Sequence, residues 1–334
     1  MKKFLALLLA AMMILSMAAC TPETPDDDVI KLNIAYMPNW GALWAVATAD
    51  EKGYFAEEGI EITLVPFENG PNEIAAMEEG SIDISYIGPG AHKLCSTGKA
   101  EVMLLQHLGD GDCIIGLKGI TKLEDLRGKT VGYAAGTSSE TILKVALESV
   151  GMTMDDIVAM NMNASNLTMA AISGEVDAVA AWAPSSLTIL AQVEGAVDIC
   201  SNVDFPSLVS PGSWVVNPTW ADENSETMVK FARAMYKAMD YAAAATTDDA
   251  IANEVAGYIS KIIAKDAAAV LEERYTGSWM SSTQLKEMLE SGTVAKVYAD
   301  QQATFIANGA LEAIGNLTPE QFVLLQIMKD AFGK

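Results

Sequence analysis

Between residues 31 and 37 (KLNIAYM) apolar and polar positions alternate, the period of a strand buried on one face. From 41 to 52 the apolar positions return at helical spacing until Gly53-Tyr54-Phe55 breaks them. Residues 60–67 predict a second strand, 72–79 a helix that Gly80 terminates, and 82–87 a third strand. Strand, helix, strand, helix, strand with short connections predicts a mostly parallel sheet flanked by helices. The rhythm returns with strands at 130–133, 157–161 and 176–182 and helices at 138–150 and 167–173. The stretches from Ala75 to Asp83 and from Ala170 to Asp177 share one plan: a helix end, a glycine stop, an apolar residue and an aspartate opening a strand. Such a repeat predicts two similar βαβ lobes in tandem. After Trp214-Val215-Val216 the pattern is helical to about Phe332, with Met228, Phe231, Met235 and Met239 forming a core-facing stripe. This last segment is expected to return and cover the first lobe.

The N-terminus reads differently. Lys2 and Lys3, an apolar run from Phe4 to about Met17, and Ser16-Met17-Ala18-Ala19-Cys20 have the layout of a secretory signal. The run is shorter than the roughly 20 residues a spanning helix needs. Cys20 resembles the acylated cysteine of bacterial lipoproteins, with Met17 where leucine is usual. An ordinary cleaved signal with an incidental cysteine is the alternative. Residues 21–28 (TPETPDDD) are acidic and proline-bearing, with nothing to bury, and fit a flexible tether. The expected organisation is a signal peptide at 1–19, lipidated Cys20 and tether at 20–28, a first lobe at 29–112, a second at 113–213, and a return to the first at 214–334.

The roughly 300 residues after the tether exceed one typical core, which again favours two lobes. The chain carries 21 basic and 44 acidic residues, for a net charge of −23. That balance excludes a nucleic-acid binder, whose affinity rests on a basic stripe, and disfavours an enzyme that steers anions. It is expected to serve solubility. Cys95, Cys113 and Cys200 are odd in number and lack CxxC spacing, so no disulfide framework is indicated, although one bridge stays open. The two histidines, His92 and His107, form no ligand cluster, so neither a metal nor a cofactor is expected.

Five motifs in order resemble one family. Lys52-Gly53-Tyr54-Phe55 with Gly59-Ile60 is similar to a signature of periplasmic-type binding proteins for nitrate, sulfonates, taurine and thiamine precursors. Gly80-Ser81-Ile82-Asp83 with Gly88, then Leu126-Arg127-Gly128-Lys129-Thr130-Val131-Gly132, Gly136-Thr137-Ser138-Ser139, and Gly174-Glu175-Val176-Asp177-Ala178 follow in the family's order. Ala181-Trp182-Ala183-Pro184 resembles the taurine branch. The resemblance spans residues 31–260. It implies a type II periplasmic-binding-protein fold, α/β, with two βαβ lobes hinged around a cleft. It also implies an extracytoplasmic, monomeric partner of an ABC permease and its ATPase, held at the membrane only by its lipid.

In parallel α/β lobes ligands meet the carboxyl ends of strands. This rule selects Asn39, Trp40 and Gly41 after the first strand, Pro89 and Gly90 after the third, and Thr137, Ser138 and Ser139 at the helix opening the second lobe. It also selects Asn163 before the next helix, Trp182 after the last strand of that lobe, and Trp214 beside the cleft. Thr137 and Glu140 have the spacing of a capping box, while the free amides and hydroxyls there also suit an anion. Trp44, Trp220 and Trp279 are expected in the core. The three arginines, Arg127, Arg233 and Arg274, fall on no cleft loop, so a bidentate clamp for carboxylate or phosphate is not expected. A sulfonate held by amides and hydroxyls fits, as does an uncharged or cationic ring stacked on tryptophan. Ser210-Pro211-Gly212-Ser213 lacks the carboxylate that the taurine branch places before the tryptophan at 214, which counts against taurine. Glu140 or Asp110 could substitute for that carboxylate. The leading expectation is therefore a non-enzymatic importer protein for a small organosulfonate, with an aromatic heterocycle such as a thiamine-precursor pyrimidine as the alternative. An enzyme on the same fold and a signalling or adhesive lipoprotein are the competing classes. The enzyme reading lacks a recognisable nucleophile–base spacing.

Overall fold

A computed structural model describes residues 29–333. Cys20, the signal segment and the tether lie outside the described residues.

Two sheets form. The first contains β1 (Ile30–Tyr36), β2 (Ile60–Pro66), β3 (Ile84–Ile87), β4 (Glu101–Gly109), β10 (Pro211–Val216) and β11 (Gly277–Trp279), in the order β11-β4-β10-β3-β1-β2. The second contains β5 (Cys113–Gly116), β6 (Thr130–Tyr133), β7 (Val158–Asn161), β8 (Ala178–Ala181) and β9 (Val197–Ser201), in the order β7-β6-β8-β5-β9. β1 and β3 are parallel, and β10 runs antiparallel between β3 and β4. β6 is parallel to both β7 and β8, while β5 is antiparallel to β8 and β9. The chain therefore crosses between sheets twice, at 110–112 and again at 202–210.

Burial explains the composition of the strands. Every residue of β3, β8 and β10 is buried, as expected for strands covered on both faces. In the second sheet Ala178 and Ala180 join a core with Ile142, Leu143 and Leu147, while Val179 and Ala181 join one with Leu167, Ala171 and Ile189. The side-chain period of two thus divides one strand between two apolar layers. The stripe of Met228, Phe231, Met235 and Met239 is buried to 2% exposure or less, with Phe231 against Phe55 and Trp214.

The internal repeat has a physical cause. Asp83 accepts a hydrogen bond from the Asn33 backbone N–H at 2.7 Å, and its own N–H donates to the Asn33 carbonyl. Asp177 does the same with Thr130, at 3.0 Å through the carboxylate and 2.8 Å through the backbone. Each aspartate fastens the strand it opens to that strand's parallel neighbour, β1 for β3 and β6 for β8. The glycines before them, Gly80 and Gly174, hold φ of +78° and +73°, a region that lets the helix stop without a β-carbon penalty.

Several boundaries differ from expectation. The helix expected from 167 starts at Ala164, because Asn163 accepts from the Asn166 N–H and caps it three residues earlier. Pro211–Ser213, expected in the second lobe, belong to β10 in the first sheet. Gly277–Trp279, in a stretch that reads helical, forms an edge strand on β4. Cys95, Cys113 and Cys200 are free and buried. Cys113 pairs in register with Ser201 and Cys200 with Ile114, and the two thiols enter opposite apolar layers. That alternation leaves no bridge between them.

Asp177→Ala removes the fastening to Thr130 and is expected to cost about 1 kcal/mol, reduced from a buried charged bond by solvent access. Urea denaturation measures it, and an unchanged midpoint would show that the repeat's aspartate carries no stability.

Candidate functional site

The carboxyl ends of β1, β3, β6 and β8 converge with both sheets' loops on one cavity of about 670 Å³, its mouth included. Helix α1 (Trp40–Glu51) contributes Asn39 and Gly41 at its head; Asn39 Oδ1 caps it by accepting from the Ala42 N–H at 2.8 Å. The turn after β3 contributes Gly88, Pro89, Gly90 and Ala91. Helix α2 (Ser138–Ser149) presents Thr137 and Ser138 from the other sheet, and the end of β8 presents Trp182 and Ala183.

These walls touch. A β-carbon on Gly90 would lie 2.0 Å from the Thr137 carbonyl carbon and 2.4 Å from the Ser138 nitrogen. Only glycine permits that approach. A second glycine makes room for the floor: a β-carbon on Gly212 would lie 2.2 Å from His107 Cε1 and 2.6 Å from the Tyr86 hydroxyl. Tyr86 Oη and His107 Nε2 are 3.3 Å apart, and His107 also lies against Trp279, with centroids 4.7 Å apart. Burial lowers the His107 pKa to about 3, so its ring is neutral.

Two carboxyl groups reach the cavity wall. Asp112, on the first crossing, is 6% exposed and accepts a hydrogen bond from the Ser138 hydroxyl. Burial raises its pKa to about 6, the Ser138 bond opposing the rise. Glu273 is 1% exposed and accepts from the Trp40 backbone N–H at 2.8 Å and from Lys265 Nζ at 3.2 Å. Burial raises its pKa as well. No lysine or arginine lines the cavity among the described residues. The site is a slot with aromatic walls, acidic and without a cation of its own.

Of the residues selected from sequence, Asn39, Gly41, Pro89, Gly90, Thr137, Ser138 and Trp182 are brought together on this wall. Four are not, and each has another task. Trp40 is fully buried behind Trp279. Ser139 Oγ bridges the Ala134 N–H and the Ala180 carbonyl, at 3.0 and 2.7 Å. Asn163 caps its helix and donates to Glu68 Oε2 at 2.8 Å. Trp214 is fully buried, with Nε1 donating to Gln106 Oε1 at 2.7 Å. The capping box at Thr137 does not close as expected either. Thr137 Oγ1 accepts from the Ser139 N–H at 3.3 Å, and Glu140 takes the Gly136 N–H at 2.7 Å rather than that of Thr137.

Asp112, Tyr86, His107, Glu273, Thr276 and Trp279 line the cavity without having been selected. Asp112 follows Gly109-Asp110-Gly111, a turn-like run whose depth depends on the crossing. Trp279, expected in the core, is buried to 7% exposure and also lines the cavity.

The family model described as NMT1/THI5 like matches residues 42–247. A putative binding protein of Brucella abortus is 28% identical over 91% of this chain and 93% of its own. A putative aliphatic sulfonates-binding protein of Bacillus subtilis is 27% identical over 72% of this chain and 74% of its own. Among solved structures, the periplasmic aliphatic sulphonate binding protein SsuA from Escherichia coli superposes with a TM-score of 0.69 at 19% identity, covering 90% of this chain and 99% of that one. The two-sheet architecture is thus the two-lobed type II binding-protein fold.

Asp112 carries a stability test. Its folded pKa lies above the unfolded value near 3.8, so the folded state holds the proton more tightly. Stability from this group is therefore lost as pH rises from about 4 through about 6. Asp112→Asn keeps an acceptor for Ser138 and should gain about 2 kcal/mol at pH 7.5, a gain that vanishes near pH 4. Thermal denaturation of both proteins across pH checks this; a pH-independent difference would reject it. Comparing the pair removes the opposite trend from His92 and His107, whose lowered pKa values favour the fold at higher pH.

Proposed function

Because the chain belongs to the NMT1/THI5-like family, we propose that it is the extracytoplasmic solute-binding component of an ABC importer, closing on one small molecule between its two lobes. The observation that carries this reading is the cavity built from both sheets and sealed where Gly90 meets Thr137 and Ser138. The moving bodies are residues 29–109 with 211–333, and residues 113–201, joined by the crossings at 110–112 and 202–210. Asn202 ties the crossings together, its backbone N–H donating to the Asp112 carbonyl at 2.9 Å, while its Nδ2 donates to the carbonyl of Gly109 at the end of β4, also at 2.9 Å. Contacts from one body to the other then act as closing latches: Asn163 to Glu68 at 2.8 Å, and Lys93 to Glu140 at 3.7 Å. Cys20 supplies the lipid anchor, and a permease with its ATPase receives the cargo from a monomer. Relatives named as binding proteins support binding over catalysis.

The cargo divides into two readings. The Bacillus subtilis relative's name favours an organosulfonate. That ligand would bring a fixed negative charge beside Asp112 and Glu273 with no lining cation to offset it. An uncharged or cationic ring meets no such cost and finds Trp182 and Trp279 as apolar walls. The composition of the wall favours the ring.

Binding is expected to raise the melting temperature by the linkage RT ln(1 + [L]/Kd), about 2.7 kcal/mol of stabilisation at a hundredfold excess over Kd. Gly90→Val should leave the fold of each body intact while weakening ligand affinity at least tenfold, because its side chain holds the walls apart; calorimetry showing unaltered affinity would refute closure at this point. Cys20→Ser should release the protein from the membrane fraction, and continued attachment would refute the lipid anchor.

A further inference from the structure

We propose that the helix Gly70–Glu78, whose head forms part of the cavity wall, is a panel whose lifting is coupled to the loss of a proton from Glu73. The proposal goes beyond the binding reading: it concerns when the wall opens, whatever the cargo.

The helix presents Gly70, Glu73, Ile74 and Met77 to the interior, one stripe at helical spacing with a glutamate in an apolar row. A β-carbon on Gly70 would lie 3.2 Å from Ile87 Cβ, so the stripe rests on the face of β3 that carries Ile87 and, two residues back, Ser85. Glu73 is fully buried, and neither carboxyl oxygen has a hydrogen-bond partner; the Ser85 hydroxyl, also fully buried, has none either. Burial raises the Glu73 pKa well above the ordinary glutamate value, and Ser85 opposes the rise from close by, without a hydrogen bond of normal geometry. No ion pair reaches Glu73 among the described residues: Lys99, the lysine that meets this helix, pairs with Glu78 at 2.6 Å on the exposed side. The elements packed on the helix, β3 and the turn 89–91, carry Tyr86 as their titratable side chain, whose pKa burial raises, with Glu73 and Asp112 adding to the rise. His92, next after the turn, is kept neutral by burial, its pKa lowered to about 4.

The other lobe leans on this panel. A β-carbon on Gly136 would lie 3.3 Å from Pro71 Cγ, and Glu68, just before the helix, accepts from Asn163 at 2.8 Å. Beyond Gly136, the Glu140 carboxylate is already paired, with Lys144 at 2.8 Å and Lys93 at 3.7 Å. A lifted helix puts Glu73 in water, where a glutamate ionises near pH ~4.3. The closed form binds the proton more tightly, so the lock is complete below that pH and weakens above it. Each further pH unit moves the equilibrium about tenfold toward the lifted helix, until the buried carboxyl itself ionises. Lifting takes Gly70 and Pro71 out of the cavity wall, so opening at this point depends on pH across the neutral range.

Native-state hydrogen exchange by mass spectrometry on the mature full chain, from about pH 5 to about pH 8, reads the opening directly. After correction for intrinsic exchange, opening at residues 72–80 of the wild type is expected to rise about tenfold per pH unit, while the helix Ser138–Ser149 shows a shallower dependence. Glu73→Gln keeps the size of the side chain and cannot ionise, so it is expected to flatten the rise. Lys99→Met removes the exposed ion pair and is expected to keep it. A wild-type slope below about threefold per pH unit, a slope at 72–80 no steeper than at 138–149, or an unaltered slope in Glu73→Gln would overturn the proposal. The comparison of the two wild-type helices decides the matter without the variant, should Glu73→Gln fail to fold. None of these outcomes bears on whether the cavity binds a solute.

Discussion

The approach of the turn at Gly90 to Thr137 and Ser138, too tight for a β-carbon, is the constraint on which the walls around it depend. Because no β-carbon fits there, the turn after β3 and the head of the helix at Ser138 seal one side of a space that the crossings close on the other. The residues on either side of the seam are small, and the bulk is set back: Trp182, Trp279, Tyr86 and His107 line the space beyond it. The cavity is therefore a consequence of where the chain lacks side chains as much as of where it has them.

Behind the seam stands a second tier of buried polar side chains. His92 lies between the Ser213 hydroxyl at 2.9 Å and the Pro89 carbonyl at 3.2 Å, and Ser213 in turn meets Tyr298 at 2.7 Å. Gln301 donates to the same Pro89 carbonyl at 2.9 Å. Trp214 and Gln106 form a comparable pair, with Gln106 passing its amide hydrogen to the Gly41 carbonyl at 2.7 Å. Two wall loops are thus held by buried polar chains, which rigidify when every member is satisfied. This is the role in which Trp214 is found.

Much of the fold was legible because local rules and the architecture agree. Strand and helix periods, the glycine stops at Gly80 and Gly174, and the repeated aspartates each report a local requirement that the lobes preserve. Strand ends also located Asn39, Gly90, Ser138 and Trp182, since position along a parallel strand determines access to the cleft. What the pattern could not convey was pairing across distance. Asp112 and Asp110 look alike in sequence, and only the crossing decides that one is buried against Ser138 while the other is exposed. Trp279 lies inside a helical-looking stretch, and its place on the wall follows from a three-residue strand added to β4. Likewise, nothing local distinguishes a tryptophan facing the cavity, such as Trp182, from one sealed by Gln106.

The arrangement of Cys113 and Cys200 bears on how the protein matures. Adjacent strands carry them, yet alternation sends one thiol to each face of the sheet, and burial pushes the Cys200 pKa up to about 12. Cys95 is sealed in the other lobe, its thiol also held in the protonated form. Nucleophilic sulfur is the thiolate, so these three are inert toward oxidants and mixed disulfides once folded. Among the described residues the two lobes are held by packing, hydrogen bonds and ion pairs alone, with no covalent staple between strands.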